Sequence, residues 1–175
     1  MSSVFQSSVS HSAGLALGSN LGNRLAHLRQ ARDRLRKMSA DGLLQAPIYQ
    51  TAPVACPEGS PDFYNTVVEI RFQGSPQELL AAALSLELEL GRDRSAGPNA
   101  PRTIDIDLLY FGHETIAEAD LELPHPRLTS RRFVLQPLAD IRPDLVLPGD
   151  HSTIAEHLAH LDTNEPDLAL VQAAW

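Results

Sequence analysis

The stretch Pro101-Arg102-Thr103-Ile104-Asp105-Ile106-Asp107-Leu108-Leu109-Tyr110 decides how the chain is read. From Thr103 to Tyr110 the residues alternate with the period of a strand. Ile104, Ile106, Leu108 and Tyr110 are expected on one face, and Thr103, Asp105, Asp107 and Leu109 on the other. Asp105 and Asp107, two positions apart, project the same way with Cα atoms roughly 6–7 Å apart. Carboxylates that close repel unless something positive compensates. Magnesium supplies such compensation, taking a couple of carboxylates together with phosphate oxygens and waters. The plainer alternative is the exposed face of an edge strand. Arg102, three residues before Asp105, and Arg92 and Arg94 across the preceding loop favour the metal. Carboxylates for a cation beside guanidiniums for phosphate are the parts that phosphoryl transfer requires.

Upstream of that strand, Arg92 to Pro101 has no periodicity and contains Gly97-Pro98, so it reads as a loop that can move. Before it, Ser75-Pro76-Gln77-Glu78 opens a helix with a serine cap, an early proline and a glutamate three residues after the cap. Leu79, Leu80, Ala83, Leu86 and Leu90 form its apolar face, and Gly91 suits its end. Glu87 on this helix is read as a solvated residue. Thr66 to Phe72 alternates as a strand with Val68, Ile70 and Phe72 on one face. Thr51 to Pro61 is a proline-rich loop, and Leu43 to Thr51 a strand. Ala13 to Leu17 is a first strand. It runs through Gly18-Ser19-Asn20-Leu21-Gly22-Asn23 into a helix with Leu21, Leu25, Leu28, Leu35 and Met38 on one side. Downstream come a short strand near Ile116, a turn at Pro124-His125-Pro126 and an apolar stretch from Phe133 to Leu138. A helix over Ser152 to Leu161 and a last strand over Leu168 to Val171 follow. The expected fold is an α+β, ferredoxin-like sandwich, helices packed on a mostly antiparallel sheet.

At 175 residues with 43% hydrophobic content, the chain suits one domain with a real core. Residues 1–12 are expected to be a flexible tail and 13–175 the domain. A formal charge of −8 argues against nucleic-acid or anionic-membrane partners, and no apolar run approaches membrane-spanning length. The local excess of arginine between Arg92 and Arg102 suits a small polyanion. Cys56, the single cysteine, excludes an internal disulfide and fits a cytoplasmic setting. A monomer is expected.

Pro101-Arg102-Thr103-Ile104-Asp105-Ile106-Asp107 resembles the signature of the 6-hydroxymethyl-7,8-dihydropterin pyrophosphokinases of folate biosynthesis. Other pieces match in order: Leu17-Gly18-Ser19-Asn20-Leu21-Gly22, then Tyr49, Thr51 and Pro53, then Phe63 with Asn65. Glu87 through Arg92, and His125 with Arg131 and Phe133, complete the set, which runs from about Ala13 to Leu147. The resemblance implies transfer of pyrophosphate from the co-substrate ATP to the hydroxymethyl pterin, giving the pterin diphosphate and AMP. It implies that Asp105 and Asp107 bind two magnesium ions. Arg92 and Arg102 would hold the ATP phosphates, with Arg94 joining on loop closure, and His125 and Arg131 would contact the nucleotide. Leu108 and Leu121 would touch adenine. Thr51, Pro53 and Val54 would line the pterin pocket, Asn65 would hydrogen-bond the ring, and Phe63 and Phe133 would sandwich it. Read without the resemblance, Phe63 and Phe133 fit a plain core, His125 a surface turn and Asn65 a turn cap.

The chain departs from the family pattern at two places. Asn99-Ala100 stands where many members have Trp-Gly, and Pro126 where an aromatic is common after the histidine. Asn99 can hydrogen-bond but cannot stack. A metal-dependent nucleotidyl or glycosyl transferase would explain the aspartates but not the aromatic–asparagine group. A non-catalytic ligand-binding relative would explain the Asn99-Ala100 change.

Overall fold

The computed structural model describes residues 9–175. Element order is β1 (Ser10–Ser19), α1 (Arg24–Met38), β2 (Leu43–Gln45), β3 (Ile48–Thr51), β4 (Phe63–Gln73), α2 (Pro76–Glu89) and β5 (Asp105–Phe111). The short β6 (Ile116–Ala117) and β7 (Glu122–Leu123) follow, then α3 (Arg132–Ile141), α4 (Ile154–Ala159) and β8 (Ala169–Gln172). The main sheet is antiparallel in the order β5-β1-β4-β3-β8, with β2 also paired to β4. The β1-α1-β2/β3-β4-α2-β5 run is the ferredoxin-like α+β sandwich that the sequence implies.

Each face of the sheet carries its own core. Leu28, Ala31 and Leu35 of α1 and Leu79, Ala83 and Leu86 of α2 pack on Leu15, Leu17, Val68, Ile70, Ile104, Ile106 and Leu108. On the opposite face Val134, Leu135 and Leu138 of α3 pack on Val67, Leu109 and Tyr110. The α2 cap is as read: the Ser75 hydroxyl accepts from Glu78 N–H, and the Glu78 carboxylate accepts from Ser75 N–H at 2.6 Å. At α1, Asn23 supplies the cap, its side chain accepting from Ala26 N–H at 3.0 Å.

Several expectations shift. Residues 1–8 of the expected tail lie outside the described residues, but Ser10–Ser12 are strand, paired to Arg71–Gln73. The expected strand from Leu43 to Thr51 is two strands, broken at Ala46-Pro47, because proline has no N–H for a ladder. The apolar stretch near Phe133 is helix α3, and the expected helix over Ser152 to Leu161 is the shorter α4. Tyr110 faces the α3 core, not the Ile104–Leu108 side. The β1–β5 register explains this: Gly14 opposes Tyr110 but Leu15 opposes Leu108, which leaves Leu109 as an extra residue. That bulge moves Leu109 and Tyr110 onto one side together. Gly14 is what admits the ring, since a Cβ there would lie 2.3 Å from Tyr110 Cε1.

Candidate active site

The site grows from one row of residues across the sheet. Asn65 on β4 opposes Gly18 on β1, and Gly18 opposes Asp105 on β5. The next row on that face runs Val67, Ala16, Asp107. Strand spacing puts Asn65 and Asp105 roughly 10 Å apart at the backbone. Gly18 and Ala16 on the middle strand keep the floor between them low. A Cβ at Gly18 would lie 2.7 Å from Asn65 Oδ1. Above this floor lies a cleft of about 950 Å³, open mouth included. Thr51, Val54, Phe63, Asn65, Arg102, Asp105, Asp107, His125, Arg131 and Phe133, all expected from the sequence, line it.

Asn65 is buried, and its amide donates to Thr51 Oγ1 at 2.8 Å, so its orientation is fixed. Each aromatic lies under a guanidinium: Arg102 sits 5.6 Å from the Phe63 ring centre and Arg131 5.4 Å from that of Phe133. Asp105 meets two arginines, Arg92 directly and Arg102 at 3.4 Å. Among the described residues Asp107 has no such ion pair. Burial, and then the neighbouring Asp105 charge, push its carboxyl up to about 6, with Glu87 adding and Arg131 opposing. Burial, then Arg131 and Arg127, lower the His125 pKa, which favours the neutral ring. Its Nδ1 accepts from Arg127 N–H at 3.1 Å, which leaves the ring proton on Nε2.

Five expected residues, Arg92 among them, fall outside the lining of this cleft. Leu108 and Leu121 are buried in the core under α1 and α2; the cleft is lined by Leu109 instead. Leu108 points away because its register parity differs from that of the aspartates. Pro53 lies with Val54 in the loop that follows Thr51, the last residue of β3, but does not line the cleft. Arg94 lines a neighbouring hollow of about 390 Å³ with Arg92, Asn99 and Arg102. Asn99, at φ 59°, borders both spaces.

Two residues matter more than the sequence suggested. Glu87, read as solvated, is 1% exposed and accepts from Ile106 N–H at 2.8 Å. It also pairs with Arg92 at 3.2 Å and with Arg94. Burial raises its pKa while the Ile106 bond and Arg92 lower it. Asn20 is buried too, and exchanges bonds with Arg102: Asn20 N–H donates to Arg102 O at 3.1 Å, and Arg102 N–H donates to Asn20 Oδ1 at 2.8 Å. Its amide donates to Pro61 O at 3.2 Å, so one side chain moors both loops at the cleft. An asparagine inside Gly-Ser-Asn-Leu-Gly carries no local sign of that long-range role.

The donor set fits magnesium. Among the described residues no three His, Cys, Asp or Glu side chains gather into a cation cage. Two carboxylates on one strand face, one without an ion pair among the described residues, beside arginines for phosphate, suit a hard cation that keeps waters and substrate oxygens. Together, fold and cleft define an α+β sandwich domain whose cleft suits a cation and phosphate. Residues 14–143 match the family model for 7,8-dihydro-6-hydroxymethylpterin-pyrophosphokinase, and the chain belongs to that family. It is 44% identical over 130 residues to the 2-amino-4-hydroxy-6-hydroxymethyldihydropteridine pyrophosphokinase of Bacillus subtilis, covering 74% of this chain and 77% of that one. It is 36% identical over 156 residues to the folate synthesis bifunctional protein of Chlamydia caviae, covering 84% of this chain but about a third, 35%, of the relative. The HPPK-DHPS triple mutant of Plasmodium falciparum, solved with pteroate, shares the fold at TM-score 0.68 and 15% identity, over 89% of this chain and 44% of that one. The family's reaction is pyrophosphoryl transfer from ATP to hydroxymethyldihydropterin in folate synthesis.

Proposed function

We propose that this chain carries out that reaction itself, with two magnesium ions held by Asp105 and Asp107. The observation that carries the reading is the Asn65–Gly18–Asp105 row: a fixed amide and the carboxylate pair share one face, separated by a side-chain-free strand position. A flat heterocycle hydrogen-bonded to Asn65 and held between Phe63 and Phe133 would reach toward the aspartates. Thr51, at the end of β3, and Pro53 and Val54, in the loop after it, would flank the pterin.

The pterin hydroxyl oxygen attacks the β-phosphorus of ATP, forming an O–P bond. The bond from that phosphorus to the α,β-bridging oxygen breaks, AMP leaves with the oxygen, and the hydroxyl proton passes to solvent. Magnesium, when bound, supplies positive charge to the phosphate oxygens and acidity to the hydroxyl. Arg92 and Arg102, both beside Asp105, would meet the developing charge, Arg94 lines the adjoining hollow, and Arg131 with the Nε2–H of His125 would serve the nucleotide. Positioning and electrostatics carry phosphoryl chemistry, so no general base is required. Closing the segment from Arg92 to Pro101 would keep water from ATP. No helix of the described residues is long and apolar enough to cross a membrane. In this reading the domain works in the cytoplasm as a monomer.

The test is AMP release from ATP and 6-hydroxymethyl-7,8-dihydropterin, with a magnesium titration. AMP and pterin diphosphate in equal amounts, abolished by chelator, are expected. Tight pterin binding with no AMP at any magnesium concentration would overturn catalysis and leave a binding protein.

A further inference from the structure

Glu87 occupies a position that physical chemistry disfavours. It lies in the last turn of α2, where the helix dipole repels negative charge, and it is 1% exposed. It does not merely cap the helix. One oxygen accepts from Ile106 N–H at 2.8 Å, and Ile106 lies between Asp105 and Asp107. The same oxygen meets Arg92 Nη1 at 3.2 Å, and the other meets Arg94. Arg92 Nη1 also donates to Ile104 O at 3.2 Å and to Asp105. The backbone repeats the link, Arg92 N–H donating to Glu87 O at 3.0 Å.

Resting on the function proposed above, we infer that Glu87 is a positioning residue that takes over the Arg92 charge when Asp105 turns to a metal. Asp105 cannot serve a cation fully while Arg92 holds its oxygen. With Glu87 present, Arg92 gives up one of three acceptors and keeps Glu87 and Ile104 O. The guanidinium then stays beside β5, next to the phosphates, instead of being released into solvent or left as an unpaired charge. Without Glu87, Arg92 depends on Asp105 as its remaining carboxylate and competes with the metal. Arg94, 52% exposed and paired with Glu87, is kept at the rim by the same carboxylate.

A double-mutant cycle on Mn²⁺ binding tests this, read from the paramagnetic signal of the free ion without nucleotide, so that turnover is not needed. Glu87→Gln keeps an acceptor for Ile106 N–H and removes the charge. It should weaken Mn²⁺ binding at least about tenfold, the scale of one charge-assisted hydrogen bond. In an Arg92→Gln background the same substitution should change binding less than twofold. Equal fold-losses in the two backgrounds, or wild-type affinity in Glu87→Gln, would overturn the inference and leave a packing role. If Glu87→Gln does not fold, Glu87→Asp, which withdraws the charge by one methylene, carries the same cycle. A wild type that couples Glu87 to Arg92 on Mn²⁺ but releases no AMP would sink the proposed reaction alone. A wild type that binds no Mn²⁺ would sink both.

Discussion

The two faces of the sheet use the same strands for opposite ends. Under α1 and α2, β5 contributes Ile104, Ile106 and Leu108 to a continuous apolar core. On the other face, one residue out of step, it presents Asp105 and Asp107 to a cleft. The first face is closed by volume: Leu28, Leu35, Leu79 and Leu86 leave nothing exposed. The second is kept open by its absence, at Gly18 and Ala16, and is populated by charges that do not fully cancel. Stability and chemistry therefore separate by parity along single strands. Substitutions on the two faces should fail in different ways.

The largest contrast comes from β5 and its backing. Asp105→Ala or Asp107→Ala should lower magnesium-dependent AMP release on the order of 10³-fold, with cooperative unfolding retained. Leu28→Ala or Leu79→Ala should cost about 2–5 kcal/mol of stability yet leave kcat per folded molecule unchanged. Denaturant melts beside turnover decide it. An aspartate variant at near-normal rate, or a leucine variant with normal stability and lost kcat, would break the division.

A smaller effect sharpens the claim about the open face. Gly18→Ala puts a methyl 2.7 Å from Asn65 Oδ1, so the amide must turn from its bond to Thr51. Pterin affinity should fall about tenfold, the worth of one well-placed hydrogen bond in a closed pocket, while affinity for an ATP analogue holds. Calorimetry of each ligand reads both. Equal losses for the two would mean that the floor, not the amide, was damaged.

The smallest effect concerns uncompensated charge. The Asp107 carboxyl is pushed up to about 6, so the folded chain holds this proton more tightly than the unfolded chain does. Stability therefore falls as pH rises from about 4 to about 6, and the penalty is complete above that. Metal-free Asp107→Asn should melt on the order of a few degrees higher than wild type at pH 7.5, and the gap should close toward pH 4. Thermal melts with chelator across that range check it. A gap independent of pH would locate the gain in packing.

Much of this was legible in the chain. Asp-x-Asp in a strand fixes two carboxylates on one side whatever surrounds them, and the capping box of α2 names its own start. Local spacing carries both. What it does not carry is the partner across the sheet. Glu87 reads as one more acid on an amphipathic helix, and only the approach of β5 makes it a buried acceptor. Asn20 looks like a turn residue until two distant loops are seen to hang from it. Alternation also failed at one residue: Leu109-Tyr110 resembles continued strand, and the bulge is imposed by Gly14 admitting the tyrosine ring. Leu108 and Leu121 rest on the family resemblance alone, and the parity of β5 turns Leu108 inward.

The bulge at Leu109 has a further consequence for how copies of this chain meet. β5 is an outer strand of the main sheet, and an unprotected outer strand is a template for the strand of another molecule. The extra residue interrupts the even spacing that such pairing needs, and the Leu109 carbonyl is already taken by His125 N–H at 2.8 Å. The acidic half of the strand before it repels a second acidic chain. The irregularity that seats Tyr110 beneath α3 thus also guards solubility. Straightening it, by removing one residue between Asp107 and Tyr110, would expose a flat adhesive border along β5.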